Sequence, residues 1–336
     1  MSVPIGTTLG IFADNSLKRK SVLPLSNREM TAWAKGLEIP AGGETVLYTG
    51  NMFQLIPSIN SMSRQLAKFE NSWITGYFNI GRAVNRVINL SGLIGRSDPA
   101  ERKVYNQPLR NIARLLRKAG VEFGYLYEKD LYSGALIYDE GLDDIFLSHA
   151  RLVHRILKDN NVKQVITVDP HTTDILRNIY PKIIKDFDIK VKSYLEVLAE
   201  RELDVVARLD TEVTIHDSCI YARHDGIINQ PRLLLKQSDV RIQETELSGK
   251  LTYCCGGPLE SLFPGKAEEI ARKRIGQLAD CSNCIVTMCP ICLSNLKRVA
   301  PPEIVVRDIS DYLVKAYCPT GDLSPDKNTL ELVGQS

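Results

Sequence analysis

The sequence predicts an α/β protein built from two pseudo-repeated halves, each a small parallel or mixed sheet with flanking helices. Three observations predict it. Short apolar runs alternate with amphipathic stretches along most of the chain. The same order of elements occurs twice. Residues able to carry chemistry follow directly on apolar runs, and in parallel sheets ligands gather beyond the carboxyl ends of strands.

The first half opens with the strand Thr45–Tyr48, followed by Gly50-Asn51. Tyr132-Ser133-Gly134 comes next, then an amphipathic helix near Ile145–Asp159. The apolar run Val165–Val168 leads into Asp169-Pro170-His171-Thr172 and a helical pattern over Asp174–Tyr180. The second half repeats this order. Val213–His216 is followed by Asp217-Ser218-Cys219, then Cys254-Cys255-Gly256-Gly257, a helix near Ala267–Leu278, and Ile285–Met288 leading into Cys289-Pro290-Ile291-Cys292. A helical pattern over Leu293–Val299 closes it. The spacing from Gly134 to Asp169 is within two residues of that from Gly256 to Cys289.

Five of the eight cysteines therefore fall into one pattern: a single Cys, an adjacent pair with Gly-Gly, and a C-x-x-C. Soft sulfur donors on Gly- and Pro-rich turns suit an iron–sulfur cluster or a zinc ion. The adjacent pair suits a multi-iron cluster, whereas a single tetrahedral zinc usually takes separated knuckles. A structural zinc site or buried free thiols are the bland alternatives.

Composition narrows the class. A net charge of +2 gives no basic field for nucleic acid, and no apolar run approaches a membrane span. The start of the chain lacks the order of a signal peptide. Cysteines clustered without a secretion signal argue for metal binding in a reducing cytoplasm. Neither a GxGxxG nor a GxxxxGK motif is present, so no nucleotide is expected.

Cys219, Cys254-Cys255-Gly256 and Cys289-x-x-Cys292, with the strand-then-Cys entries Ile215–Cys219 and Ile285–Pro290, resemble the cysteine-rich CCG domain. That domain belongs to the B-type and D-type subunits of heterodisulfide reductase and to related iron–sulfur oxidoreductases. The likeness spans most of residues 45–320, is specific in the second half and weak before it. The gap from Cys255 to Cys289 is a residue or two shorter than the family's usual spacing. The resemblance implies Cys219, Cys254, Cys255, Cys289 and Cys292 as ligands of one non-cubane 4Fe–4S cluster, with zinc as the alternative. It also implies partners: a ferredoxin-like C-type subunit and a flavin-bearing A-type subunit, with a sister B-type subunit or a sulfur-carrier protein as further expectations.

On this reading residues 1–44 are an N-terminal arm, which resembles the arm of D-type subunits without its ferredoxin cysteines and is expected to wrap a neighbouring subunit. Residues 45–205 are a degenerate CCG-like half with an insertion at about residues 58–105. Residues 206–318 are the intact CCG half, and 319–336 a polar tail. The middle of the insertion, Ile74–Arg96, mixes basic and apolar residues without an acidic one, as a partner- or membrane-facing surface would; a surface excursion packed on its own domain is the bland reading. Asn51, Tyr132, Ser133, Asp169 and Thr172 stand where the second half has thiolates, so the first half is expected to keep the fold and drop the metal. Asp169 and His171 are expected to serve as turn and capping residues.

The expected activity is redox chemistry on a single thiol, disulfide or protein-bound sulfur, since only one cluster site survives; the resemblance of this diverged copy to the duplicated B-type subunits of sulfur-oxidising complexes implies the sulfur-oxidising type. An electron-relay or scaffold subunit, or a zinc-bearing structural module, are the alternatives. His216 is a candidate proton donor or hydrogen-bond partner beside the cluster, against a strand-end histidine bonded to backbone. His224 and Asp225 are candidates for the same mouth; His149 and His154 are read as surface or packing residues. Cys281 and Cys284 form a second C-x-x-C, but Cys284 should begin the strand that ends at Met288, roughly 16 Å from Cys289. Both, with Cys318, are expected outside the ligand set.

Overall fold

The computed structural model describes residues 5–69, 82, 85 and 97–318. The expected tail, and all of Ile74–Arg96 except Arg82 and Asn85, lie outside the described residues.

Among the described residues, seven short strands form two sheets. β1 (Thr45–Tyr48), β2 (Gln164–Thr167) and β3 (Lys190–Ser193) pair in that order. β4 (Thr211–Ile215), β5 (Val240–Ile242), β6 (Cys284–Thr287) and β7 (Val305–Asp308) form a second sheet in the order β5-β4-β6-β7. Every pairing is parallel, as short apolar strands covered by helices on both faces require. The helices Asp143–Asp159 and Pro264–Ala279 occupy matching positions before β2 and β6. Matching helices also follow the last strands: Ser193 caps Tyr194–Ala199, and Asp308 caps Ile309–Tyr317.

Among the described residues, the first sheet has no strand in the place of β5. Gly124 stands in for it, donating its N–H to Thr45 O and accepting from Leu47 N, both at 2.9 Å. A Cβ there would lie 1.6 Å from Gly42 O, so only glycine permits the approach. Trp33 and Tyr125 seal this side, edge-on at a ring-centroid distance of 4.8 Å and joined by a 3.1 Å Nε1–H···OH bond.

The N-terminal tract packs on its own chain. The helix Ile5–Arg19 buries Phe12, and Val22 and Leu23 enter the first half's core. Arg82, within the expected insertion, meets Asp14 at 2.8 Å, and Asn85 donates to Asn15 Oδ1 at 3.0 Å. Phe12, Val22 and Leu23 are buried in this packing, while Ile5 and Leu17 stay exposed.

Asp130 ties off the carboxyl end of β1. Its Oδ2 accepts from the Thr49 amide at 3.2 Å and the Thr49 hydroxyl at 2.5 Å. Burial raises its pKa to about 7 against the pull of the Thr49 donors. The folded value lies above the ordinary 3.8, so the folded chain holds this proton more tightly than the unfolded one. Its stabilising contribution is present below the unfolded value and is lost as pH rises through about 7. Asp308, pushed by burial to about 7, acts in the same direction. Asp130→Asn keeps an acceptor for Thr49 but cannot ionise. Its urea midpoint should therefore change less between about pH 5 and about pH 8 than that of the parent. An identical slope in the two proteins would show that Asp130 does not titrate in this way.

Candidate metal centre

β4 and β6 are neighbours, and the His216 amide donating to Val286 O at 2.8 Å carries their pairing one step past Ile215. The chain therefore leaves both strands side by side, with Cys219 and Cys289 at the same edge. Asp217 fixes the first exit. Its carboxylate accepts two 2.8 Å bonds from Arg232 and one of 2.7 Å from Gly249 N. Its carbonyl accepts from Thr252 Oγ1 at 2.9 Å, which ties the approach to Cys254-Cys255 to the end of β4.

The loop over this edge depends on its two glycines. Gly256 has φ +82, and its N–H donates to Cys254 Sγ at 3.3 Å. At Gly257 a Cβ would lie 2.3 Å from Ile291 Cγ2 and 3.4 Å from Cys255 Sγ.

Five thiols meet beneath the loop. Cys254 makes sulfur contacts with Cys219 and Cys255, Cys255 with Cys292, and Cys292 with Cys289. Cys255, Cys289 and Cys292 are buried, while Cys219 and Cys254 are half-buried. S–H donation from Cys219 and Cys255 holds Cys254 well below the ordinary thiol range. Burial works against a Cys289 thiolate, but the Cys292 thiol and the His171 imidazole bring it down as well. Cys289 also stands at the N-cap of the helix Pro290–Val299, where the free amides favour negative charge.

Cys281 and Cys284 are elsewhere. Cys281 Sγ packs 3.8 Å from Gln277 O and 3.9 Å from Glu244 O, and Cys284 begins β6 at the end opposite Cys289. Cys318 is buried in the core, and among the described residues no cysteine forms a disulfide.

Residues 213–297, which contain all five of these thiols, match the family described as the cysteine-rich domain, CCG. The chain carries a CCG domain. Its curated relatives include the EtfAB:quinone oxidoreductase of Syntrophomonas wolfei, 31% identical over 61% of this chain and 31% of that protein. The probable iron-sulfur-binding oxidoreductase FadF of Bacillus subtilis is 29% identical over 78% of this chain and 36% of its own length. The D-type polypeptide of the dihydromethanophenazine:CoB--CoM heterodisulfide reductase of Methanosarcina barkeri is 26% identical over 63% of this chain and 56% of its own length. The chain thus spans about a third of the first two and just over half of the third. Among the described residues, no helix is long and apolar enough to cross a membrane.

The CCG donor set fits an iron–sulfur cluster. It offers five soft sulfurs, an amide N–H on one of them, and a buried His216 Nε2 that bonds to no protein group. A ring nitrogen of His216 and the sulfurs of Cys255 and Cys292 lie within 4.8 Å of one another. His216 is not bonded to backbone through its ring, because Arg274 Nε donates to its Nδ1 at 3.1 Å. Burial, with the guanidinium beside it, lowers its pKa to about 3. Burial thus favours the neutral ring, which carries a single proton.

The corresponding edge of the first half is closed by its own side chains. Asp169, in the place of Cys289, caps the next helix by accepting from Thr172 N at 3.0 Å. Thr172 Oγ1 donates to Ser133 Oγ at 3.3 Å. A Cβ on Gly50 would lie 2.4 Å from Thr172 Oγ1, and Asn51 is turned away to Asp130 O at 2.7 Å. Gly134, with φ +91, repeats the left-handed turn of Gly256.

The two halves face each other across these edges, and His171 has a role beyond the turn assigned to it from sequence. It reaches from the first half to the Cys289 sulfur of the second, with Nδ1 3.5 Å from Asp139 Oδ2. Burial lowers its basicity, but Asp139 and Cys289 together raise its pKa well above the ordinary value. Ile291, at the equivalent place in the second half, packs against the core of the first. His224 and Asp225 have their partners in the first half. His224 Nδ1 lies 3.1 Å from Asp174 Oδ2, and Asp225 accepts from Asn178 at 3.1 Å, so both clamp the halves together. His149 is a packing residue, its Nε2 2.6 Å from Tyr132 O.

Proposed function

We propose that this chain is an iron–sulfur oxidoreductase subunit of a heterodisulfide reductase-like complex. In this reading Cys219, Cys254, Cys255, Cys289 and Cys292 hold one non-cubane 4Fe–4S cluster. The observation that carries it is the meeting of these five thiols at the shared carboxyl edge of β4 and β6. A cluster there supplies one-electron transfer and a soft site for sulfur. The chain's own groups shape that site: Gly256 N–H donates to sulfur, Gly257 leaves room for the loop, and His171 covers Cys289. The substrate is then a thiol, disulfide or protein-bound sulfur, in a sulfur-oxidising direction, with ferredoxin-like and flavin-bearing partners moving the electrons. One thiolate site beside a closed second edge favours a single sulfur substrate over symmetrical cleavage of a disulfide.

A second reading is an electron relay whose substrate site lies on another chain, and the relative named EtfAB:quinone oxidoreductase supports it. Iron, sulfide and visible absorption on anaerobically purified protein test the shared part of both readings. Colourless protein holding zinc would replace both with a structural module, for which His216, Cys255 and Cys292 supply three donors. Paramagnetic signals that change on adding a thiol or persulfide favour the first reading; signals that respond only to electron donors favour the relay.

The closed first edge yields a prediction of its own. Thr172→Ala removes a group equivalent to Cys292, yet iron per chain should equal that of the parent. A fall in iron would mean that the first half contributes a ligand.

A further inference from the structure

We propose that Arg274 locks His216 in the tautomer with its proton on Nε2. We further propose that this N–H, which has no bond to a described residue, is a donor to a cluster held by Cys255 and Cys292, not an additional ligand; this rests on the iron–sulfur reading above. A guanidinium has donors only, so the 3.1 Å bond from Arg274 Nε makes Nδ1 of His216 an acceptor. In a neutral imidazole the proton then resides on Nε2. That atom is buried and has no protein partner, in a ring whose nitrogen lies within 4.8 Å of both sulfurs. A protonated nitrogen has no lone pair for a metal and one hydrogen for a sulfur acceptor.

Arg274 itself is fully buried, at 0% exposure. Its other side-chain partners are Gln277 Oε1 at 3.0 Å and Thr252 Oγ1 at 3.4 Å, both neutral. Among the described residues no carboxylate forms an ion pair with it. A buried cation with neutral partners is costly unless an anion lies close by; Asp217 is the nearest in effect, and deprotonated cysteines at the site would add to it. Local sequence explains how the arginine gets there. The buried face of Pro264–Ala279 runs Ala267, Ala271, Arg274, Ile275, Leu278, and the two alanines let the helix approach β4 closely enough for the guanidinium to reach His216. A fixed N–H and a nearby cation both favour the more negative, reduced state of a cluster, so together they raise its reduction potential.

The test uses the full chain labelled with 15N-histidine, in which His216 is one of five histidines. The His216 signals are assigned by their absence in His216→Gln. In metal-free protein, long-range 15N–1H couplings should show Nε2–H; Nδ1–H would overturn the lock. In anaerobic protein, His216→Ala should keep parent iron content and shift the midpoint potential negative. His216→Gln, which restores an N–H near the Nε2 position, should move the potential back toward the parent. Arg274→Met should shift it in the same direction as His216→Ala. Loss of iron in His216→Ala would make the imidazole a ligand, and an unchanged midpoint would remove the donor; either overturns the proposal. If Arg274→Met does not fold, the tautomer in the parent still decides the lock. If the parent holds no iron, the iron–sulfur reading fails and the donor role falls with it, while the tautomer separately reports on Arg274.

Discussion

Cys255→Ser is expected to lose most of its iron and its visible absorption. Cys255 is 2% exposed and joins the two parts of the thiol group, touching Cys254 in its own loop and Cys292 on the helix after β6. Serine keeps the shape within an atom's radius but offers a hard alkoxide or a neutral hydroxyl where a soft thiolate is needed. Replacing an exposed ligand can be repaired by solvent or a neighbouring thiol. Cys255 has no such relief, because Gly257 and Ile291 close the space beside it. Cys281→Ser is the control. Its sulfur rests on the carbonyls of Gln277 and Glu244, and iron content should not change. Full iron and an unaltered spectrum in Cys255→Ser would remove this residue from the ligand set and, with it, the reading of the adjacent pair.

How much of this was legible in the sequence follows from where each residue sits. Strands β1, β2, β4 and β6 each bury their last three residues, and these short, largely apolar segments could be read. Strands β3, β5 and β7 were not read. β3 is Lys-Val-Lys-Ser, and β5 has a single arginine between two aliphatics, because an edge needs charge more than burial. Gly124 gave no strand signal at all, since its fit depends on Gly42, far away in the chain.

The site divides the same way. The five thiols could be picked out by their spacing, because each follows a local turn or strand end. The groups around them could not. His171 belongs to the other half, and nothing near it in sequence announces that its ring ends at Cys289. Arg274 reads as one charge among many in a polar helix, and only the buried stripe of Ala267 and Ala271 hints that it points inward. Periodicity reports which face of a helix is buried, not which buried charge is answered by a thiolate.

Gly256→Ala should be the most damaging substitution that removes no donor. Gly256 lies in the left-handed region at φ +82, where an L-residue costs about 1–2 kcal/mol. The added methyl would stand 2.5 Å from Ala267 O and 3.0 Å from Ala267 Cα. Those are backbone atoms in the first turn of Pro264–Ala279 and cannot swing aside. Overpacking of this kind typically costs about 1–3 kcal/mol more. At about 1.4 °C per kcal/mol for a chain of this length, the melting temperature should fall by several degrees. The loop can relieve the clash only by lifting, and lifting carries Cys254 and Cys255 away from Cys292 and breaks the Gly256 N–H contact to Cys254. Iron per folded chain should therefore fall together with stability. Gly134→Ala separates the two effects. It is left-handed too, at φ +91, with Phe146 ring atoms 3.1 Å from the new Cβ, so it should destabilise the first half while iron per folded chain stays at the parent level. Gly265→Ala, with no atom within 4 Å and no left-handed backbone, should do neither. A Gly256→Ala protein with the parent's melting temperature and iron content would mean that the CCG loop is free to move, and that its glycine turn does not hold the paired cysteines in place.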